Sequence, residues 1–104
     1  MVEQIDKEKF DELLKGEKPL VCDFFATWCG PCKMLATVME EVSEKFKDKA
    51  LFVKVDVDKN AELAARYGIM SIPQISVFKG GEEADKTLGY MGKKALTDYL
   101  SEKL

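Results

Sequence analysis

The sequence predicts an α/β fold: a mixed β-sheet covered by helices on both faces, in three layers. Three observations carry this expectation. Leu20–Phe25 is almost wholly apolar and β-prone, as a strand buried on both faces reads. Segments with one apolar helical face alternate with strand-length apolar runs through the first two thirds of the chain. Gly80-Gly81 then signals a hairpin, which adds antiparallel pairing to an otherwise parallel arrangement.

Taken in order, residues 2–5 read as a short strand. Asp6 can cap a helix whose Phe10, Leu13 and Leu14 form one apolar face, and Gly16 is a reasonable stop. Pro19 leads into the strand Leu20–Phe25. Leu35, Val38, Met39, Val42 and Phe46 then recur at helical spacing among Glu40, Glu41, Glu44 and Lys45, and the charged turn Lys47-Asp48-Lys49 closes that helix. A strand over 51–57 follows, in which Leu51, Val53 and Val55 alternate with Phe52, Lys54 and Asp56. A short helix over 61–67 ends at Gly68, a loop covers 69–73, and Gln74–Lys79 is the next strand. The hairpin leads to a strand over 84–88. Gly89 and Gly92 bracket a turn, and Leu96, Tyr99, Leu100 and Leu104 mark the last amphipathic helix. No repeat, linker or low-complexity segment interrupts the chain, so residues 1–104 are expected to form a single domain.

Composition narrows the function. A chain of 104 residues with 46% hydrophobic content can bury one core but not two. With 16 basic against 19 acidic residues it has no excess charge for phosphate backbones, which argues against nucleic acid as a partner. The longest apolar runs are strand-sized and no basic segment precedes an apolar one at the N-terminus. Neither a membrane span nor a signal peptide is expected, and a cytoplasmic location is. Three cysteines in such a protein point to cysteine chemistry rather than a disulfide scaffold. Histidine is absent, which removes Cys–His catalysis and the commoner zinc sites.

The chemistry concentrates in Trp28-Cys29-Gly30-Pro31-Cys32, where the strand gives way to the long helix. The first turn of a helix offers unpaired N–H groups and a positive dipole end, both of which favour a thiolate. Pro31 suits that turn, where its missing N–H costs nothing. Cys29, outermost and ahead of the helix, is the candidate attacking thiolate; Cys32, one turn in, is the candidate resolving thiol. A Cys-x-x-Cys pair is also half a zinc site, but Cys22 alone remains to complete a tetrahedral shell, so no metal is expected. Asp23 places a carboxylate inside an apolar strand, where burial is costly and raises its pKa. It serves either proton transfer at the reactive centre or a structural pairing, for example with Lys54. Strand alternation puts Cys22 on the opposite face, as a small core residue. Trp28 reads as a half-exposed contact surface or as one more packed aromatic. By base rate alone the Ile72–Pro73 bond is trans.

These residues together resemble the thioredoxin family over essentially the whole chain. The run from Asp23 through Trp28-Cys29-Gly30-Pro31-Cys32-Lys33-Met34 looks like its active-site segment, and Gly30-Pro31 is specific to its reducing members. Val53-Lys54-Val55-Asp56-Val57-Asp58, Tyr67-Gly68-Ile69, Ser71-Ile72-Pro73 and Phe78-Lys79-Gly80-Gly81 are similar to later family segments in the right order. The resemblance implies a five-stranded mixed sheet between four helices, with Cys29 an exposed nucleophile and Cys32 its buried partner. It further implies a redox disulfide between them, Asp23 as the buried acid that accepts and returns the Cys32 proton, and Lys54 tuning it. Pro73 would be cis, and Trp28, Gly30, Pro31, Ile72 and Gly89 would line a shallow apolar groove for an extended target segment. The implied activity is protein-disulfide reduction and general dithiol–disulfide electron transfer by a monomer without cofactor. Its implied partners are disulfide-bearing target proteins and a thioredoxin reductase.

Four residues depart from the family pattern. Thr37 replaces a usual proline that kinks the long helix, which predicts a straighter helix. Phe25 replaces a common tryptophan, Gln74 a threonine and Tyr90 a small residue; the last two border the groove and bear on target preference. Two rival readings remain: a disulfide oxidant or isomerase on the same fold, and a binding module that uses the groove without the thiols.

Overall fold

The computed structural model describes residues 1–104. Its strands are β1 (Glu3–Gln4), β2 (Leu20–Phe25), β3 (Leu51–Asp56), β4 (Gln74–Lys79) and β5 (Glu82–Leu88). Its helices are α1 (Lys7–Leu14), α2 (Gly30–Lys45), α3 (Ala61–Arg66) and α4 (Lys93–Lys103). The sheet order is β1-β3-β2-β4-β5: β3 runs parallel to both β1 and β2, while β4 is antiparallel to β2 and to β5. This is the expected five-stranded mixed sheet with four helices.

Alternation along the central strand sorts the core into two layers. Val21, Ile75 and Val77 pack under Leu35, Met39 and Val42 of α2 and Leu96 and Leu100 of α4. Leu20, Cys22, Phe24 and Phe78 face the other way, against Phe10 of α1 and Leu63 of α3. Phe10 is the hub there, meeting Phe78 edge-on at 5.2 Å and Tyr67 at 5.8 Å between ring centroids, separations at which aromatic edges and faces attract. Asp6 caps α1 as expected, its side chain accepting the Lys9 N–H at 2.9 Å.

Several boundaries differ from the sequence reading. β1 is two residues long, because only Glu3 and Gln4 pair with β3 at the sheet edge. β5 starts at Glu82, immediately after the Gly80-Gly81 turn, where both glycines take the positive φ that lets the chain reverse. On β3 the expected alternation breaks down. Phe52 and Asp56 are buried along with Val53 and Val55, since the strand has neighbours on both edges and helices over both faces. α2 is a single uninterrupted helix of 16 residues, with Thr37 inside it.

Candidate active site

The strand β2 and the helix α2 meet at Cys29. Its backbone is extended (φ −92°, ψ 113°) and its sulfur accepts the Cys32 N–H at 3.2 Å, so a cysteine takes the N-cap place usually held by an oxygen-bearing side chain. Pro31 lies in the first turn. Cys29 and Cys32 are joined by a disulfide, with their Cα atoms 5.3 Å apart. In one respect the arrangement departs from expectation: Cys29 is not exposed. Its relative accessibility is 5%, against 4% for Cys32. The bond turns the Cys29 sulfur inward onto Cys32, and the pair packs with Ala26 against Phe25, Val57 and Ile72.

Around this pair lie the other residues singled out from the sequence. Trp28 is 70% exposed, and its indole N–H donates to Asp58 Oδ2 at 2.8 Å. Gly30 is exposed, and a Cβ there would meet no atom within 4 Å. The fold therefore does not demand a glycine at this position. Ile72–Pro73 is cis. Ile72 packs on the disulfide cluster, and the Pro73 carbonyl accepts the Gly89 N–H at 2.8 Å. Gly89 has φ +88°, which only glycine adopts readily. Trp28, Gly30 and Pro31 are exposed, Ile72 and Gly89 are half-buried, and Pro73 is buried.

On the protein side, Asp23 is buried at 1% accessibility, and its Oδ1 has no hydrogen-bond partner. Burial pushes its carboxyl up to about 7, opposed by the positive charge of Lys54. Lys54 is its register partner on β3, and the Lys54 Nζ lies 5.5 Å from the centre of the Phe25 ring. Asp23, Lys54 and Cys32 line one cavity of about 270 Å³, large enough to hold water. Cys22 is fully buried on the opposite face, with burial driving its thiol well above the ordinary range.

Asp58 and Asp56 were not legible as site residues. Asp56 is buried and its Oδ1 accepts the N–H groups of Asp58 and Lys59 at 2.9 and 3.3 Å, which folds the turn after β3 and points Asp58 at Trp28. Two aspartates spaced by one residue after a strand are a turn signal; which indole the second one meets is a tertiary fact. Replacing Asp58 with alanine should remove about 1 kcal/mol of restraint on the ring. Trp28 is the only tryptophan, so its fluorescence anisotropy reads the change directly and should fall; unchanged anisotropy would mean that packing alone holds the indole.

Comparison with known proteins agrees with this geometry. The family model described as thioredoxin matches residues 1–102. A thioredoxin of Staphylococcus haemolyticus is 45% identical over 101 residues, covering 97% of this chain and 96% of that one. A thioredoxin of Alicyclobacillus acidocaldarius is 43% identical over 95 residues, covering 91% and 90%. The solved structure of a Malassezia sympodialis thioredoxin superposes with a TM-score of 0.90 at 36% identity, covering 98% of this chain and 90% of that one. With a Cys29–Cys32 disulfide at the helix start and relatives matched along almost its full length, this chain belongs to the thioredoxin family and is a dithiol–disulfide oxidoreductase that reduces protein disulfides and carries electrons between dithiol couples.

Proposed function

We propose a division of labour among the residues of this site. Cys29, released from the disulfide by reduction, is the attacking thiolate, favoured by the N–H groups and dipole of α2. It attacks one sulfur of a target disulfide, forming a Cys29–target S–S bond and leaving the target's other sulfur as a thiolate that takes a proton from water. Cys32 then gives its proton to the Asp23 carboxylate and attacks the Cys29 sulfur. The Cys29–Cys32 bond forms, the Cys29–target bond breaks, and the electron pair leaves on the second target sulfur. Lys54 limits how far burial raises the Asp23 pKa, keeping that carboxylate available as a base near neutral pH. The observation carrying this reading is that a buried, unpartnered carboxylate and the resolving sulfur line the same cavity.

The face made by the exposed Trp28, Gly30 and Pro31 and the half-buried Ile72 and Gly89, together with the buried Pro73, is the docking surface for an extended, disulfide-bearing segment of the target. Recharging by a thioredoxin reductase is supported by a Mycobacterium leprae protein named bifunctional thioredoxin reductase/thioredoxin. It is 41% identical over 101 residues, and this chain covers 22% of it. No helix is long and apolar enough to cross a membrane. A monomer working in a reducing compartment, the cytoplasm, completes the proposal.

Equilibrating the protein with dithiol and glutathione buffers while following Trp28 fluorescence tests the direction of electron flow. The Cys29–Cys32 couple is expected to lie on the reducing side of glutathione. A couple on the oxidising side would assign the protein to disulfide formation instead, and the absence of a two-electron couple would favour a binding module.

A further inference from the structure

Six large apolar side chains stand exposed: Met1, Trp28, Met34, Met70, Leu88 and Tyr90. All but Met1 are residues of the docking face or lie within about three residues of one. Two of these five carry a thioether. Met34, 59% exposed, follows Pro31 by three residues and Gly30 by four, spacings that make surface neighbours on a helix, about 5–6 Å apart. Helical side chains lean toward the N-terminus, so Met34 lies over the turn that begins at Cys29. Met70, 95% exposed, stands two residues before Ile72, at most about 7 Å of chain away, and joins none of the packed clusters. The other methionines are placed differently. Met39 is buried, Met91 is half-buried against the core, and the Met1 ammonium donates to Ser43, about 20 Å along α2 from Gly30.

The disulfide state sets what an oxidant can reach. Cys29 and Cys32 are bonded to each other and covered, and Cys22 is buried, so no cysteine sulfur is open to solvent. Thioethers, whose oxidation follows exposure, are then the sulfurs that a peroxide meets. Resting on the docking role given above to the face around Trp28 and Ile72, we propose that Met34 and Met70 are modification sites: hydrogen peroxide converts them to sulfoxides in the disulfide form, and the sulfoxides weaken docking of target proteins. Each thioether sulfur takes one oxygen atom from peroxide and is oxidised by two electrons; the O–O bond breaks, water leaves, and the Cys29–Cys32 bond is untouched. An apolar side chain beside the site becomes a polar one, whose S–O dipole is stripped of water when a target covers it. The thiols keep their chemistry, and what falls is the encounter with a protein. Molecules left in the disulfide form are the ones that become marked, and a methionine sulfoxide reductase restores them.

The test treats the disulfide form with hydrogen peroxide, clears the oxidant with catalase, reduces the protein with dithiothreitol and desalts it. It is then mixed with insulin or with cystamine, and loss of the Cys29 and Cys32 thiols is followed by quenched-flow alkylation. Peptide mapping should find an added oxygen on Met1, Met34 and Met70 and none on Met39. The rate with insulin should fall about tenfold, and that with cystamine, too small to cover either methionine, by less than about twofold. In Met34→Leu/Met70→Leu, each rate being compared with that of the same variant before peroxide, the loss should vanish although Met1 still oxidises. A methionine sulfoxide reductase with dithiothreitol should return the wild-type rate. Unoxidised Met34 and Met70, a loss that the double variant shares, an equal loss with cystamine, or full reactivity with both sulfoxides in place would each overturn the proposal. Trp28→Gln measured alongside tests the reading beneath it. If Trp28→Gln slows the reaction with insulin relative to cystamine and the sulfoxides do not, only the modification fails; if neither slows it, the docking face has failed as well.

Discussion

Replacing Cys29 with serine is expected to abolish disulfide reduction, lowering the rate by at least about 10³-fold, since a hydroxyl at neutral pH offers almost no anion to attack sulfur. Serine is itself a favoured N-cap, so the start of α2 and the fold should survive, and lost activity cannot be put down to unfolding. The companion change Cys32→Ser leaves the attacking thiolate in place but removes the group that resolves the intermediate. A covalent adduct between Cys29 and the target should then accumulate and be read by mass spectrometry. A Cys29→Ser protein that still reduces targets at full rate would transfer the activity to some other group and reduce the docking face to a binding surface.

The second large effect concerns Asp23→Asn. The folded protein holds this carboxyl at about 7, whereas the unfolded chain returns it to the ordinary 3.8. Between those values the folded state binds a proton that the unfolded state does not, so wild-type stability falls as pH rises from about 4 to about 7 and stays low above that. The gap corresponds to about 4 kcal/mol. Asparagine has no such titration. The variant is therefore expected to match wild type near pH 4 and to exceed it by up to about 4 kcal/mol at pH 8, read from urea midpoints across the pH range. The gain comes with a functional loss: resolution of the mixed disulfide at neutral pH should slow by about a hundredfold while the initial attack is spared. Equal stability at pH 8 would mean that Asp23 ionises without penalty and is poorly suited to act as the base.

Much of this architecture is legible in the residues because local preference and global fold agree in them. The bounds of Leu20–Phe25 and Gln74–Lys79 follow from runs of β-prone apolar residues between proline or glycine breaks, and Asp6 caps α1 where an acidic residue meets an apolar helical face. The cysteine pair is readable because helix-start geometry and the absence of histidine leave few chemistries open. What escaped the sequence depends on neighbours remote along the chain. The burial of Asp56 and Phe52 follows from β3 lying inside the sheet. The inward turn of Cys29 comes from its bond to Cys32. The pairing of Asp58 with Trp28 and the space beside Asp23 arise only when the turn after β3 and the helix α2 close over the strand ends. Even the cis Ile72–Pro73 bond runs against the base rate for such bonds, and only family resemblance anticipated it.

The placement of Cys22 has a practical consequence. Its sulfur lies in the middle strand of the sheet, under Phe10 and Leu63, with its thiol held far from ionisation. Fraying of a terminus or opening of a surface loop leaves it covered, and only the loss of the entire sheet brings it to solvent. Once Cys29 and Cys32 are locked in their disulfide, the rate at which an alkylating reagent marks this one remaining thiol becomes a clock for whole-molecule unfolding. The protein thus carries an internal gauge of its global stability beside a redox couple that a reagent would otherwise report first.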